Sequence, residues 1–410
     1  KNADGTLTVK KGEYSVTVEN KTNSSGGSSS GGETQTPEIT IGEAKVVANS
    51  DGTGSAITDA NSVYLGNTLY ITFSHSITGG TTTVDKTIPY AVTKNGTYTF
   101  TVTGTVNGKS YTKNVSVTVN QFKDVYEYMQ TNTKVTYSDG EVWVPEGFKV
   151  ADDSASTVQG GVVIEDKDGN QFVWVPVATL ADYKRTWYTE YDSFSSYSEA
   201  LPEDEKTSVE KYKGFYIGRY EAGDKESTGT TKATFRTSSS DTSNSVTIKA
   251  DQVPYNYVTR TQAISLAEGF KTQQGYKAKT KLVSSYAWDT TIAFIEKTVN
   301  NYGSSSSQGN YSNTSVTYKD ITDESKPEKT KAENSSLLVA TGQTTPVCNI
   351  YDMGGNVFEL TTEFSSDTYN PSAKRGGSYD DYFASNPAGY RFHDSGYAHV
   401  SVGFRLTLFL

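Results

Sequence analysis

Residues 349–360 read NIYDMGGNVFEL, and this stretch decides the fold of the larger part of the chain. The adjacent Gly354 and Gly355 permit a tight or left-handed backbone bend, because glycine adopts positive φ angles without a steric penalty. Val357 and Leu360 then continue as apolar residues of a strand that points inward. The stretch therefore predicts a sharp turn that leads into a core strand.

Two later stretches also combine glycine with arginine. Residues 375–379 read RGGSY, and residues 403–405 read GFR. An arginine between small residues and strands usually holds backbone carbonyls or a carboxylate, such as that of Glu359, with a partly buried guanidinium. We therefore predict a structural role for Arg375 and Arg405, with ligand contact as the alternative.

These three stretches resemble, in order and spacing, landmarks of the formylglycine-generating, sulfatase-modifying-factor family. Three earlier stretches are similar to early landmarks of that family: FVWVPV at 172–177, FYIGRYE at 215–221 and VPYNYVTRTQA at 253–263. The resemblance covers residues 142–410. It implies an α+β C-type-lectin (sulfatase-modifying-factor-like) domain with two helices and long irregular loops.

The composition argues against several classes of function. With 37 Lys and Arg against 47 Asp and Glu, the formal net charge is -10, which disfavours a nucleic-acid partner because few phosphate counterions would be released. No run approaches about eighteen consecutive apolar residues, so we expect no direct membrane contact in this region. A long chain rich in Ser, Thr, Gly and Asn, with a single cysteine, fits an extracellular protein of a bacterial cell surface, or alternatively of a phage virion tail.

Changes of pattern along the 410 residues predict a multidomain protein. Residues 24–32 read SSGGSSSGG and indicate a flexible tether. Short segments between 37 and 120 alternate apolar and polar residues, which is typical of an all-β immunoglobulin-like sandwich that acts as a stalk. The predicted segments are a terminal β-hairpin or the end of a preceding domain (1–19), a Ser/Gly-rich linker (20–36), the immunoglobulin-like domain (37–121), a connector (122–141) and the C-type-lectin-fold ligand-binding domain (142–410).

Two helices are predicted within the larger domain. Thr259 and Gln262 form a capping box ahead of one apolar stripe, and a second stripe runs from Tyr286 to Asn300. Three polar insertions are predicted to be surface loops: residues 193–213, 224–247 and 303–336.

One predicted turn has the spacing of the first ligands of a calcium loop. Asp166, Asp168 and Asn170 match that spacing, but position six is Gln171 instead of glycine, and position twelve is Val177 instead of glutamate. We therefore predict a hairpin turn and no metal site.

The resemblance does not extend to the catalytic residues of the formylglycine-generating enzymes. In those enzymes the copper-binding cysteine pair lies between the RGGS and GFR stretches, whereas residues 378–402 of this chain contain no cysteine. The lone Cys348 lies outside that interval and is typical of a small buried apolar residue. A Ser-His-Asp arrangement with Asp394 has no supporting motif. We predict a non-catalytic protein without a cofactor; the alternatives are a degenerate or unusual enzyme of that family and a structural tip or tail-fibre protein.

Residues 378–402 read SYDDYFASNPAGYRFHDSGYAHVSV, a composition unlike the rest of the chain. Tyrosine among Ser, Gly and Asn is typical of antibody-like paratopes, because tyrosine gives a large contact area with few rotatable bonds. We predict that this segment binds an unknown protein or glycan partner on a cell or phage surface. The predicted ligand-binding residues are Tyr379, Asp380, Asp381, Tyr382, Phe383, Ser385, Phe392, His393, Asp394, Tyr397 and His399.

The same segment resembles the diversified part of the variable proteins of diversity-generating retroelements, which share the C-type-lectin fold. Diversification at the adenines of asparagine-type codons cannot produce Lys, Glu, Gln, Met or Trp, and the segment contains none of them. The resemblance implies one member of a repertoire, with residues 386–391 (NPAGYR) as a fixed island. The alternative is an ordinary tyrosine-rich loop of a relative that is not diversified.

Overall fold

The computed structural model describes residues 7–11, 14–21, 36–57, 63–64, 68–123, 127–188, 196–227, 242, 244–321 and 325–410. These residues form a mostly β structure with four α-helices. The chain divides into two compact units, Lys1–Asp124 and Val125–Leu410, so a multidomain, β-rich organisation is confirmed. The boundaries of the five predicted segments stay predictions, and most of the predicted linker lies outside the described residues.

The described part of the first unit consists of strands. They are β1 (Leu7–Lys11), β2 (Tyr14–Lys21), β3 (Ile39–Ile41), β4 (Lys45–Val47), β5 (Val63–Tyr64), β6 (Leu69–Thr72), β7 (His75–Ile77), β8 (Thr81–Val84), β9 (Tyr90–Val92), β10 (Gly96–Val106), β11 (Lys109–Val119) and β12 (Phe122–Lys123). They pair in the orders β1-β2-β11-β10-β8, β4-β6-β9 and β3-β7, and β5 pairs with β12 in parallel. The hairpin β1–β2 thus forms where one was predicted, and β2 extends the sheet of β10 and β11.

The longest hairpin shows how the sequence specifies this unit. Apolar and polar residues alternate along β10 and β11, so that Phe100 and Val115 are paired and buried. Asn107 and Gly108 join the strands with φ angles of 49° and 78°, the left-handed conformation that a two-residue hairpin turn requires. This predicted hairpin is therefore confirmed.

The second unit combines strands with helices. Its helices are α1 (Glu203–Tyr212), α2 (Arg260–Gln274), α3 (Ser285–Glu296) and α4 (Tyr302–Ser305). Its strands are β13 (Thr133–Tyr137), β14 (Gly140–Val144), β15 (Phe148–Val150), β16 (Val163–Asp166), β17 (Gln171–Pro176), β18 (Tyr197–Ser198), β19 (Gly214–Gly218), β20 (Gly223–Asp224), β21 (Val246–Thr247), β22 (Val253–Pro254), β23 (Lys279–Leu282), β24 (Val316–Tyr318), β25 (Lys329–Lys331), β26 (Phe358–Ser365), β27 (Ser372–Arg375), β28 (Arg391–Asp394), β29 (Val402–Phe404) and β30 (Leu406–Phe409). The hairpin β13–β14 lies where the sequence predicted a connector. Among the described helices, none is long and apolar enough to cross a membrane.

The largest sheet of the second unit has the order β15-β16-β17-β19-β30-β23. Trp288 and Ile292 of α3 are fully buried in one cluster with Val173 and Phe215 of this sheet. The main core of the unit therefore lies between α3 and the sheet.

Both predicted helices are present. α2 begins after Thr259 in the predicted capping box, in which the Thr259 hydroxyl accepts from the Gln262 N–H and the Gln262 side chain accepts from the Thr259 N–H. α3 ends at Glu296 instead of Asn300, because the next two backbone N–H groups donate to carbonyls three residues back and tighten the last turn.

The prediction that the polar insertions are surface loops was wrong in two places. Residues 193–213 contain α1, which buries only a few side chains. Most residues of this helix are charged or polar, so the composition of the segment did not indicate a helix. Residues 303–336 contain α4, β24 and β25, and Lys331 is only 3% exposed because its ammonium donates to three backbone carbonyls. More than half of residues 224–247 lie outside the described part of the chain.

The predicted turn between β16 and β17 is confirmed. One carboxylate oxygen of Asp166 accepts from the backbone N–H groups of Asp168 and Asn170, at 2.9 and 2.7 Å. Within the described ranges, no group of three or more His, Cys, Asp or Glu side chains is placed to hold a metal ion.

A second sheet carries three of the predicted binding residues, Phe392, His393 and Asp394. Its order is β18-β26-β27-β28, and β29 pairs with β26 in parallel. On β28, Phe392 lies opposite Lys374 of β27. Because successive strand residues point to opposite faces, Phe392 and Asp394 share one face of this sheet, and Arg391 and His393 share the other.

Candidate functional site

The arginine of the GFR stretch is a structural group. Arg405 is fully buried, and its Nε lies 2.9 and 3.1 Å from the two carboxylate oxygens of Glu359. It also donates to the carbonyls of Gly218 and Tyr351, at 2.8 Å each. Burial raises the pKa of Glu359, and the adjacent guanidinium opposes that rise. The predicted partner of Arg405 is therefore confirmed.

The arginine of the RGGSY stretch is held by α3. Arg375 donates to one carboxylate oxygen of Asp289 at 2.5 Å, and Arg391 contacts the other. The Nε of Arg391 also lies 2.9 Å from the carboxylate of Glu363. All four side chains are buried, so the structural role predicted for Arg375 is confirmed.

The island at residues 386–391 is anchored in this core. The Ala388 carbonyl accepts from Trp288 Nε1 at 3.0 Å, and the Gly389 carbonyl accepts from Arg375 at 2.9 Å. A Cβ on Gly389 would lie 2.5 Å from a backbone oxygen, so the packing leaves no room for a larger residue. This close packing is a physical reason why the sequence of residues 386–391 should not vary. That the sequence is the same among relatives stays a prediction.

The loop that follows Tyr379 has an exposed tip. Asp380, Tyr382 and Ser385 are exposed, as predicted, and Tyr382 has 54% of its surface accessible. Phe383 is half-buried, because its ring packs against another aromatic ring at a centroid distance of 6.2 Å. The tip therefore presents one large aromatic side chain to solvent.

Two of the predicted binding residues support this loop instead of facing outward. Tyr379 is fully buried, because the two preceding glycines turn the chain so that the Tyr379 N–H donates to the Asn356 carbonyl at 3.0 Å. Asp381 is half-buried, and its carboxylate accepts from the Ser378 N–H at 3.0 Å and from the Asn386 side chain at 2.8 Å. The prediction of Tyr379 as an exposed contact was wrong, and Asp381 is a positioning residue.

Strand β28 presents Phe392 and His393, which are both exposed. The Phe392 ring lies 5.8 Å from the ring of Phe358, and the Lys374 ammonium lies 5.0 Å from the Phe392 centroid. Asp394 is half-buried, and its carboxylate is 2.7 Å from Lys374 Nζ. Asp394 therefore fixes the position of Lys374 beside an exposed ring.

The chain after β28 exposes Tyr397 and His399, with 76% of Tyr397 accessible. The Nδ1 of His399 lies 2.9 Å from the Ser401 hydroxyl and also accepts from the Ser401 N–H. Asp394 is engaged by Lys374 instead of by a histidine. This geometry is that of a local turn and not of a Ser-His-Asp triad.

The sequence prediction missed two exposed aromatic residues of the hairpin β26–β27. Phe364 is 52% exposed, and Tyr369 is 87% exposed. Strand alternation places Phe364 on the same side as the buried Leu360, but a register shift lies between them and Phe364 is exposed near the end of the strand. No local sequence signal reveals this irregularity.

Cys348 is part of the main core. It is 8% exposed, and its Sγ lies 3.4 Å from the Thr298 hydroxyl. Burial raises the pKa of the Cys348 thiol, whereas reactive cysteines have lowered values. The predicted role of a small buried residue is confirmed.

We expect purified protein to bind no stoichiometric copper, and Cys348→Ser to keep the fold at a cost below about 2 kcal/mol. Because the thiol is buried, a disulfide reagent should react with it only after unfolding in urea. An introduced cysteine at an exposed position, Ser385→Cys, is the matched control and should react in the native protein. Tight copper binding that disappears in Cys348→Ser would contradict this prediction.

Glu199 joins the start of the second sheet to α3. Its carboxylate accepts from the Ser285 N–H at 2.8 Å and from the Thr362 hydroxyl. Burial raises the pKa of Glu199 to about 7, against the effect of these two hydrogen bonds. The folded protein therefore binds a proton at this position more tightly than the unfolded chain does.

Glu199→Gln should raise the free energy of unfolding more at pH 8 than at pH 5. An unfolded glutamate has a pKa of about 4.3, so the folded state binds more protons between that value and the raised one, and the free energy of unfolding falls as pH rises through this range. Glutamine does not ionise, so it avoids this fall in the free energy of unfolding, which we expect to be about 2 kcal/mol. Urea unfolding at both pH values measures it, with the exposed Glu203→Gln as control. A variant that followed the wild-type pH curve would rule out this assignment.

No family model matches the chain, and none of the curated proteins matches it. Among solved structures, variable protein 1 of Treponema denticola is 12% identical, with a TM-score of 0.36 over 59% of this chain and 96% of that one. PvdO from Pseudomonas aeruginosa is 16% identical, with a TM-score of 0.32 over 60% and 98%. CarF is 14% identical, with a TM-score of 0.29 over 48% and 87%. One of these three structures is a variable protein, and similarities this low establish no function.

Proposed function

We propose that the second unit is a non-catalytic recognition domain that binds a protein or glycan partner. The observation that carries the proposal is the position of the exposed aromatic side chains. Of the six large hydrophobic side chains that are exposed among the described residues, five lie within residues 364–397. We name these five the exposed aromatic set: Phe364, Tyr369, Tyr382, Phe392 and Tyr397.

Rigid support makes such side chains effective in binding. Large aromatic rings supply most of the energy in many interfaces, provided that little conformational freedom is lost when the partner docks. Here Arg375 and Arg391 tie the intervening backbone to Asp289, and Asp381 closes the first loop. Residues 375–391, which carry Tyr382 and lead into Phe392, are therefore held by contacts that need no partner.

Two observations support the non-catalytic part of the proposal over a degenerate or unusual enzyme of the formylglycine-generating type. The only thiol, that of Cys348, is buried and has a raised pKa. Asp394, the acid of the conceivable triad, is paired with Lys374. A structural tip or tail-fibre protein differs from the proposal in requiring no partner.

The proposal also covers the fold of each unit and the location of the protein. The first unit would be an immunoglobulin-like stalk, and the second a C-type-lectin-fold domain displayed outside a bacterial cell or on a phage tail. Its partner would lie on a cell or phage surface, without nucleic acid, membrane contact or a cofactor.

A binding measurement tests the proposal. Fluorescently labelled full chain should be retained by some members of a panel of intact bacterial cells and phage particles, and the labelled variant with Tyr382, Phe392 and Tyr397 changed to alanine should not. Retention of neither protein by any member would favour a purely structural role. The repertoire is tested separately, since an adenine-rich near-copy of the codons for residues 378–402 should lie beside a reverse transcriptase gene.

A further inference from the structure

A cavity of about 400 Å³ lies in the second unit between three short stretches, at residues 307–309, 315–317 and 343–345. The described residues that line it are serine, threonine, glutamine, glycine and one valine, and none of them is charged. It contains no member of the exposed aromatic set, so it is a separate feature from the proposed recognition surface.

Hydrogen bonds outside the cavity hold part of its wall in place. The Thr344 hydroxyl donates to the buried carboxylate of Asp352 at 2.7 Å. The Gln343 side-chain oxygen accepts from the Lys319 N–H at 2.9 Å, while its amide group donates to Asp251. These two side chains are therefore fixed before any ligand binds.

Other polar groups of the lining have no hydrogen-bond partner among the described residues. The side-chain oxygen of Gln308 is buried and accepts no hydrogen bond. The hydroxyls of Ser307, Thr317 and Thr345 likewise have no partner in the described part of the chain. Ser307, Thr317 and Thr345 are exposed, so their hydroxyls are free to donate to and accept from a ligand in the cavity.

We infer that this cavity is a binding site for a small neutral polyhydroxylated ligand, a mono- or disaccharide. Hydroxyl and amide groups both donate and accept hydrogen bonds, which matches the hydroxyl groups of a sugar. A lining without charge offers no counterion to a phosphate, carboxylate or ammonium group, and a lining with one valine offers little to a lipid. The volume lies at the small end of the range of about 300–1,000 Å³ that is typical of ligand pockets.

The cavity also borders the support of the binding loop. Ser312 lies in the chain between two of the lining stretches, and its N–H and hydroxyl both donate to the Asp381 carbonyl at 2.9 Å. A ligand that orders residues 307–317 would therefore also steady the base of the loop that carries Tyr382.

Saturation-transfer NMR on the full chain tests the inference. The probes are methyl α-glucoside, methyl β-galactoside, N-acetylglucosamine, maltose and lactose at millimolar concentration, with glucose 6-phosphate as the charged comparison. At least one neutral probe should bind, and the pair Thr317→Val and Thr345→Val should weaken it about tenfold or more, because each change removes a hydroxyl and keeps the volume. The matched control is Thr272→Val, an exposed threonine on α2.

A second variant tests the inference without relying on the pair of threonine-to-valine changes. Thr345 is exposed at the rim, so Thr345→Trp should fill the cavity and abolish binding without changing the melting temperature. The variant with Tyr382, Phe392 and Tyr397 changed to alanine should bind the probe as the wild type does. The inference is overturned if no neutral saccharide binds, if the folded cavity variants bind normally, or if only the loss of the exposed aromatic set removes binding.

Discussion

Replacing Asp289 by asparagine is expected to lower the free energy of unfolding by about 3–5 kcal/mol, the usual cost of removing one partner from a buried ion pair. Asp289 is fully buried, and its two oxygens contact Arg375 and Arg391 and accept from the Thr186 N–H at 2.9 Å. Asparagine keeps the shape but removes the charge. Glu363 would then be left as the main counterion of two buried guanidinium groups.

Urea unfolding at neutral pH measures this loss, with tryptophan fluorescence as a suitable probe because Trp288 lies 5.6 Å from the Arg375 guanidinium. The matched control is Asp152→Asn, a carboxylate with 83% of its side chain exposed, which should change stability by less than about 0.5 kcal/mol. If Asp289→Asn were as stable as the control, the two arginines would have adequate partners elsewhere, and Asp289 would not be needed to anchor residues 386–391.

The part of the fold that the sequence predicted depends on strict local requirements. Gly355 has a φ angle of 74°, and a Cβ there would lie 2.5 Å from the Asn310 carbonyl oxygen, so only glycine fits. Glu359 could be named in advance as a partner of Arg405 because both lie in the glycine-containing stretches at 349–360 and 403–405. Such constraints can be recognised from a short stretch of sequence.

No short stretch of sequence predicted the partners of Arg375 or the orientation of individual tyrosines. Asp289 lies on a helix 86 residues earlier in the chain, and no local pattern of residues links it to Arg375. The composition of residues 378–402 predicted an aromatic surface, but composition does not distinguish a tyrosine that faces solvent from one that follows a glycine turn into the core. Tyr379 and Tyr382 are therefore the most informative pair to compare.

Changing these two tyrosines of one loop to alanine should have opposite effects on stability and binding. Tyr379 is fully buried in a cluster with Val253, Leu338 and Val357, so Tyr379→Ala should lower the free energy of unfolding by about 3–5 kcal/mol through lost contacts and a cavity. Tyr382 is 54% exposed, so Tyr382→Ala should change it by less than about 0.5 kcal/mol. Thermal and urea unfolding of the two variants, side by side, provide the measurement.

The effects on binding should be the opposite: loss of exposed tyrosines should weaken binding without lowering stability. Changing Tyr382, Phe392 and Tyr397 together to alanine should leave the melting temperature nearly unchanged and weaken retention on a recognised cell or phage by about 30-fold or more, because one interface anchor contributes about 2 kcal/mol. Tyr128→Ala is the control, since Tyr128 is 40% exposed and lies outside the exposed aromatic set. Loss of folding in the triple variant would mean that these rings belong to the core. Unaltered binding by a folded triple variant would place the recognition surface elsewhere on the molecule, because a rigid loop that has lost its largest contact groups cannot keep its affinity.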